Sequence, residues 1–175
     1  MVYLLAHCLS AMALQSVFNP FLGLNYLSVT SFMSGIVSML VHLDRDSYNG
    51  KRTPLLHSVL FGVIWSLLAA LFLCLVSMSE LMTQIQLLPL ATVFPTAFAS
   101  HLLADAMTEE GIYLMPRTLH ISRWFQRKYD PDNSWANWKT ATLPGKRRND
   151  DPILNFCVSF VSLVVLIVLL ALTPL

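Results

Sequence analysis

Apolar runs long enough to cross a hydrocarbon layer dominate the chain, and polar stretches separate them. A layer about 30 Å thick needs about 20 mostly apolar residues per helix, and five such runs are present. The first covers roughly 2–18 and stops at Asn19-Pro20, a turn signal. The second, roughly 21–43, follows directly, so the two are expected to form a tight helical hairpin. After the polar stretch 44–53, Pro54 is well placed as the first residue of a third helix reaching about residue 78. The fourth run, about 87–107, carries Pro89 near its start and Pro95 inside, where a kink is expected. The polar segment 108–152 precedes the fifth run, 153–172, in which Cys157 is the one ionisable residue.

These elements predict an all-α, polytopic membrane bundle of about five transmembrane helices, with a long cytoplasmic loop between helices four and five. Residues 1–116 form a four-helix membrane core, 117–152 a basic, aromatic cytoplasmic or interfacial loop, and 153–175 the fifth helix. All 11 Lys and Arg fall in two connections. Arg45, Lys51 and Arg52 lie between runs two and three, and the other eight, from Arg117 to Arg148, between runs four and five. The remaining connections hold only Glu80 among charged residues. The positive-inside rule therefore places the N-terminus and both polar loops in the cytoplasm and the C-terminus outside. A cleavable signal peptide competes for the first run, because Ala11-Met12-Ala13 resembles a small-residue cleavage site, but a basic leading segment is lacking.

Composition agrees with the pattern: 55% of the 175 residues are hydrophobic and 12% charged, about half the charged share of an ordinary soluble domain. A net charge of +1 gives no electrostatic footprint for nucleic acid. Cys8, Cys74 and Cys157 are far apart, without Cys-x-x-Cys spacing, and read as buried, reduced thiols.

Ionisable groups inside spans are costly and mark function by default. They are His7 in the first run, His42 and Asp44 at the end of the second, His57 at the start of the third, and His101 and Asp105 in the last turns of the fourth. The topology drawn from Lys and Arg alone puts all six near the cytoplasmic ends of their helices, with His7 and His101 roughly 8–9 Å deep. His101 and Asp105 are four apart and share a helical face, a spacing suited to two ligands of one metal. Thr30, Ser34, Ser38 and His42 recur at the same interval on helix two, as do Ser58, Gly62 and Ser66 on helix three. Such seams of small residues mark helix contacts, and the first leads into the candidate site. Histidines and carboxylates without thiolate suit zinc, manganese or iron. Asp46 reads as part of a solvated turn and His120 as a surface residue. In the long loop, Ile121, Trp124 and Phe125 share a helical face, so 117–129 is expected to lie at the interface against anionic lipid, with Lys128 snorkelling and Trp135 and Trp138 as further anchors.

The stretch Ser100-His101-Leu102-Leu103-Ala104-Asp105-Ala106-Met107-Thr108-Glu109-Glu110-Gly111, followed by Leu114-Met115-Pro116, resembles the S-H-L-L-x-D-x-x-T-x-x-G signature of the YdjM-like family of membrane-bound metal-dependent hydrolases. Arg52-Thr53-Pro54-Leu55-Leu56-His57-Ser58 resembles that family's R-G-x-T-H-S segment, with Pro54 and Leu56 departing from it. His42-Leu43-Asp44 falls where the family has D-x-D, with Asp44-Arg45-Asp46 as a second register that would exclude His42, and His7 matches the family's early histidine. The resemblance implies a helical fold distantly similar to zinc-dependent phospholipase C, whose helices bring His and Asp to metal.

The expectation is a hydrolase in which His7, His42, Asp44, His57, His101 and Asp105 bind a divalent metal, zinc or manganese. Its substrate is expected to be a phosphoester or lipid head group at the cytoplasmic face. Arg52 is the candidate for an anionic substrate group, or else a topology anchor. The competing class is a non-enzymatic membrane protein whose metal is structural or whose His/Asp chain handles ions or protons. Confinement of the ionisable groups to one side argues against a channel.

Overall fold

The structure, a computed structural model, describes residues 2–41, 53–77, 87–108, 111–117, 138–142 and 151–172. Those residues are mostly helical. In chain order they form α1 (Val2–Phe18), a 3-10 turn (Asn19–Leu22), α2 (Val29–Leu40), α3 (Pro54–His57), α4 (Val59–Ser77), α5 (Leu87–Ala106), β1 (Ile112–Pro116), β2 (Trp138–Ala141) and α6 (Pro152–Ala171).

Helix α1 ends where Asn19-Pro20 predicts, but α2 does not follow directly. The intervening chain turns at Gly23, whose φ of 73° lies in the left-handed region. The buried Asn19 carboxamide organises it, donating to the Tyr26 carbonyl (2.8 Å) and to Ser28 and Ser31 Oγ (both 2.9 Å). Helix α2 therefore starts at Val29 rather than near residue 21. Ser28 precedes it in extended conformation, and its N–H donates to Ser31 Oγ at 3.5 Å. Its 12 residues rise only about 18 Å.

The third apolar run is also broken. Thr53 and Pro54 start the single turn α3, and Ser58 leaves the helix at φ −123°, ψ 151°. Ser58 Oγ then accepts the Phe61 N–H at 3.1 Å, an N-cap for α4. The segment 108–152, read from sequence as a loop, contributes an antiparallel two-stranded sheet. Ile112 pairs with Ala141, Tyr113 with Thr140 and Pro116 with Trp138. Tyr113 also bridges in parallel to Ser58, so the sheet is tied to the α3–α4 break. Each strand is too short, and its partner too distant along the chain, for alternation to reveal it.

Helix α1 packs against α2, α5 and α6, and α5 also contacts α2 and α4. The two innermost helices are thus the ones that carry Gln15, Thr92 and Thr96. Gln15 Nε2 donates to Asn19 Oδ1 (2.9 Å) and Thr92 Oγ1 (3.0 Å), and Thr96 Oγ1 donates to Gln15 Oε1. Close approach of α1 and α2 is permitted by Gly35, where an added Cβ would lie 2.7 Å from Met12 Cγ. Among the described residues, two helical segments, Val59–Val76 in α4 and Pro152–Ala171 as α6, are long and apolar enough to cross a membrane. They also expose most of their large apolar side chains. Asp151 caps α6, its Oδ1 accepting from the Ile153 N–H at 2.8 Å and the Leu154 N–H at 3.2 Å.

Candidate metal centre

Three separate elements deliver ionisable side chains to one buried point. His7 comes from the first half of α1, His57 from the end of α3, and His101 and Asp105 from consecutive turns of α5. All four are at most 1% exposed. The Asp105 carboxylate is the hub: His7 Nε2 lies 3.6 Å from Oδ1, and His57 Nε2 and His101 Nε2 lie 3.7 Å and 3.3 Å from Oδ2. The rings of His7 and His101 are tilted by 31° with centroids 4.2 Å apart, and those of His57 and His101 meet edgewise at 5.2 Å.

These separations bear on whether a cation fits. A charge-assisted N–H···O bond runs about 2.7–2.9 Å, shorter than any of the three. Two ligands held at about 2.0–2.1 Å from one ion at the tetrahedral angle stand roughly 3.3–3.4 Å apart. His7, His101 and Asp105 each offer one atom within 4.8 Å of the others, so this buried group can hold a metal ion. The donors are two imidazoles and a carboxylate oxygen, without thiolate, and His57 stands next to them.

Local structure explains how each side chain arrives. The i, i+4 spacing puts His101 and Asp105 on one face of α5, as expected. After Asp105 the chain turns at once: the Thr108 N–H and hydroxyl both donate to the Asp105 carbonyl, at 3.0 Å and 2.7 Å. The Gly111 N–H then donates to the Thr108 carbonyl at 3.2 Å. Gly111 takes a φ of 65°, with Ala141 and Thr142 too close to admit a Cβ. This turn feeds β1, whose Tyr113 holds Ser58 and with it the neighbouring His57. On the opposite side, Ser38 Oγ of α2 lies 3.4 Å from His101 Nδ1.

Among the residues expected at the site, His7, His57, His101 and Asp105 come together. His42, Asp44 and Arg52 lie outside the described residues, as do the expected interfacial stretch after Arg117 and Trp135. Trp138 does not face outward as an anchor. It is 1% exposed, with ring centroids 6.0 Å from Phe61 and 6.1 Å from Tyr113. Pairing of β2 with β1 turns it inward against α4. Sequence reasoning missed the polar hub of Gln15, Asn19 and Thr96: Gln15 and Thr96 are an amide and a hydroxyl within apolar runs, which was the available signal, whereas Asn19 reads only as part of a turn. Comparisons of the chain with family models, with curated proteins and with solved structures find no match.

Proposed function

We propose that the protein is a membrane-bound, metal-dependent hydrolase of the YdjM-like kind. The observation that carries this reading is the convergence of three imidazole Nε2 atoms on one buried carboxylate. His7, His101 and Asp105 would hold the ion, with His57 completing or adjusting the set. His42 and Asp44 join the proposed ligands, and Arg52 the proposed substrate contact, on sequence alone. Held by His7, His101 and Asp105, a divalent ion would supply Lewis acidity and a water of lowered pKa, the chemistry that phosphoester hydrolysis needs. The chain's part is to present neutral imidazoles at Nε2, to place one negative charge beside the ion, and to exclude bulk water.

The membrane setting in this proposal has five spans, a cytoplasmic N-terminus and an external C-terminus, supported by the placement of all 11 basic residues. It puts the metal end of the bundle at the cytoplasmic surface, within reach of a lipid head group. A second reading, a structural metal, draws on the same burial: side chains at most 1% exposed suit a closed shell, whereas a catalytic ion keeps an open position.

The test is metal analysis of gently purified protein together with hydrolysis of phosphoester and phospholipid substrates. Stoichiometric zinc or manganese, and activity lost with chelator and in His101→Ala, support the hydrolase. Stoichiometric metal whose removal unfolds the protein, with no hydrolysis, favours the structural reading. Absence of metal overturns both.

A further inference from the structure

Ser38 is fully buried on the face of α2 turned toward α1 and α5. Its hydroxyl oxygen is 3.4 Å from His101 Nδ1, while the other ring nitrogen of His101, Nε2, is the one turned to Asp105. The two contacts are chemically linked. A neutral imidazole that offers the Nε2 lone pair to a cation carries its proton on Nδ1. In a buried site that proton needs an acceptor, and partners of this kind fix both tautomer and ring orientation in metal centres.

The position of Ser38 follows from the rest of its helix. Ser31 Oγ is bonded to Ser16 Oγ and to the Asn19 carboxamide, both at 2.9 Å. Ser34 Oγ meets the Ala11 carbonyl at 3.3 Å and Thr96 Oγ1 at 3.2 Å. Ser31, Ser34 and Ser38 form one stripe at helical spacing. The bonds of Ser31 hold α2 against the end of α1, and two turns further on Ser38 falls on His101.

We propose that Ser38 is a positioning residue of the metal centre: it accepts the Nδ1–H of His101 and so holds Nε2 as the atom that binds a divalent cation. This rests on the metal reading above and assigns Ser38 a role that acts through His101, without contact to the ion.

The experiment measures Zn²⁺ affinity of the full chain in detergent micelles, by competition with a chromophoric chelator, for wild type, Ser38→Ala, Ser38→Thr and Ser34→Ala. Loss of a partner of this kind costs about 10–100-fold in metal affinity, which is the result expected for Ser38→Ala. Ser38→Thr keeps the hydroxyl and restores tight binding. Ser34→Ala breaks a neighbouring contact of the same stripe, lowering thermal stability while leaving Zn²⁺ affinity near wild type. Histidine-selective ¹⁵N NMR of the Zn²⁺-loaded wild type, which needs no variant, should show His101 protonated at Nδ1 and metallated at Nε2. Metallation at Nδ1 overturns the proposal, as does equal loss of affinity in Ser34→Ala and Ser38→Ala, or none in Ser38→Ala. If the wild type takes up no Zn²⁺, the metal reading and this inference fall together. If it binds and Ser38→Ala binds equally well, only the inference falls.

Discussion

Asp105→Asn separates a metal centre from an ordinary buried ion pair. The substitution keeps the shape of a fully buried side chain and removes one negative charge that three Nε2 atoms face at 3.3–3.7 Å. Removing one member of a buried charge pair typically costs about 3–5 kcal/mol. If the lost partner is a bound cation, that cost appears in metal binding, and at about 1.4 kcal/mol per factor of ten it amounts to roughly a hundredfold to a few thousandfold. The Asn carbonyl remains a weak oxygen ligand, which places the expectation near the lower end. In metal-free protein that cation is absent, so the substitution should cost far less than about 3 kcal/mol. The assay is paired, with Zn²⁺ competition titration for affinity and thermal unfolding in detergent with and without excess Zn²⁺. Wild type should gain stability with added metal, by about 2.7 kcal/mol at a hundred times its dissociation constant, and Asp105→Asn far less. Unchanged affinity would refute the metal assignment. A loss of about 3 kcal/mol in the metal-free protein would show instead that a protonated histidine is the partner of Asp105.

Further expectations concern the parts that support the site. Trp138→Ala removes a buried ring lying against Phe61 and Tyr113 and should cost about 3–5 kcal/mol in thermal or denaturant unfolding; a loss below about 1 kcal/mol would contradict the packed position. Gly111→Ala and Gly23→Ala both place a side chain at positive φ, a strain of about 1–2 kcal/mol. Only at Gly111 does the new Cβ also collide with the Ala141 carbonyl, whereas around Gly23 nothing lies within 4 Å, so Gly111→Ala should be clearly the less stable variant. Gln15→Leu strips bonds from Asn19, Thr92 and Thr96 and should lower stability by about 0.5–1.5 kcal/mol for each bond lost, read from thermal unfolding.

Much of the helical framework was legible because its signals are local. The run ending at Asn19-Pro20 matches α1, and those near 87–107 and 153–172 match α5 and α6 to within a residue. The pair His101 and Asp105 was legible for the same reason, since helical spacing alone puts both on one face. The start of α2 was hidden because it depends on bonds that the Asn19 carboxamide makes several residues downstream. The break at Ser58 was hidden because it is tied to a bridge with Tyr113, and an apolar sequence carries no mark of such a partner. Trp138 illustrates the same limit: aromatic residues in a basic loop suit an interface, and only strand pairing turns this one inward.

The sequence by itself determined the apolar character of the chain, most helix limits, the confinement of Lys and Arg to two connections, and the identity of the rare ionisable residues. Those properties follow from residue type and from periodicities of a few residues. Only the tertiary structure decided that His7 and His57 meet Asp105 beside His101, and that Ser38 stands behind His101. Such meetings depend on the rotation and height of each helix against the others. In this bundle those are set by the buried Gln15–Asn19–Thr96 network, the bonds of Ser31 on α2 and the sheet that ties α3 to the end of α5.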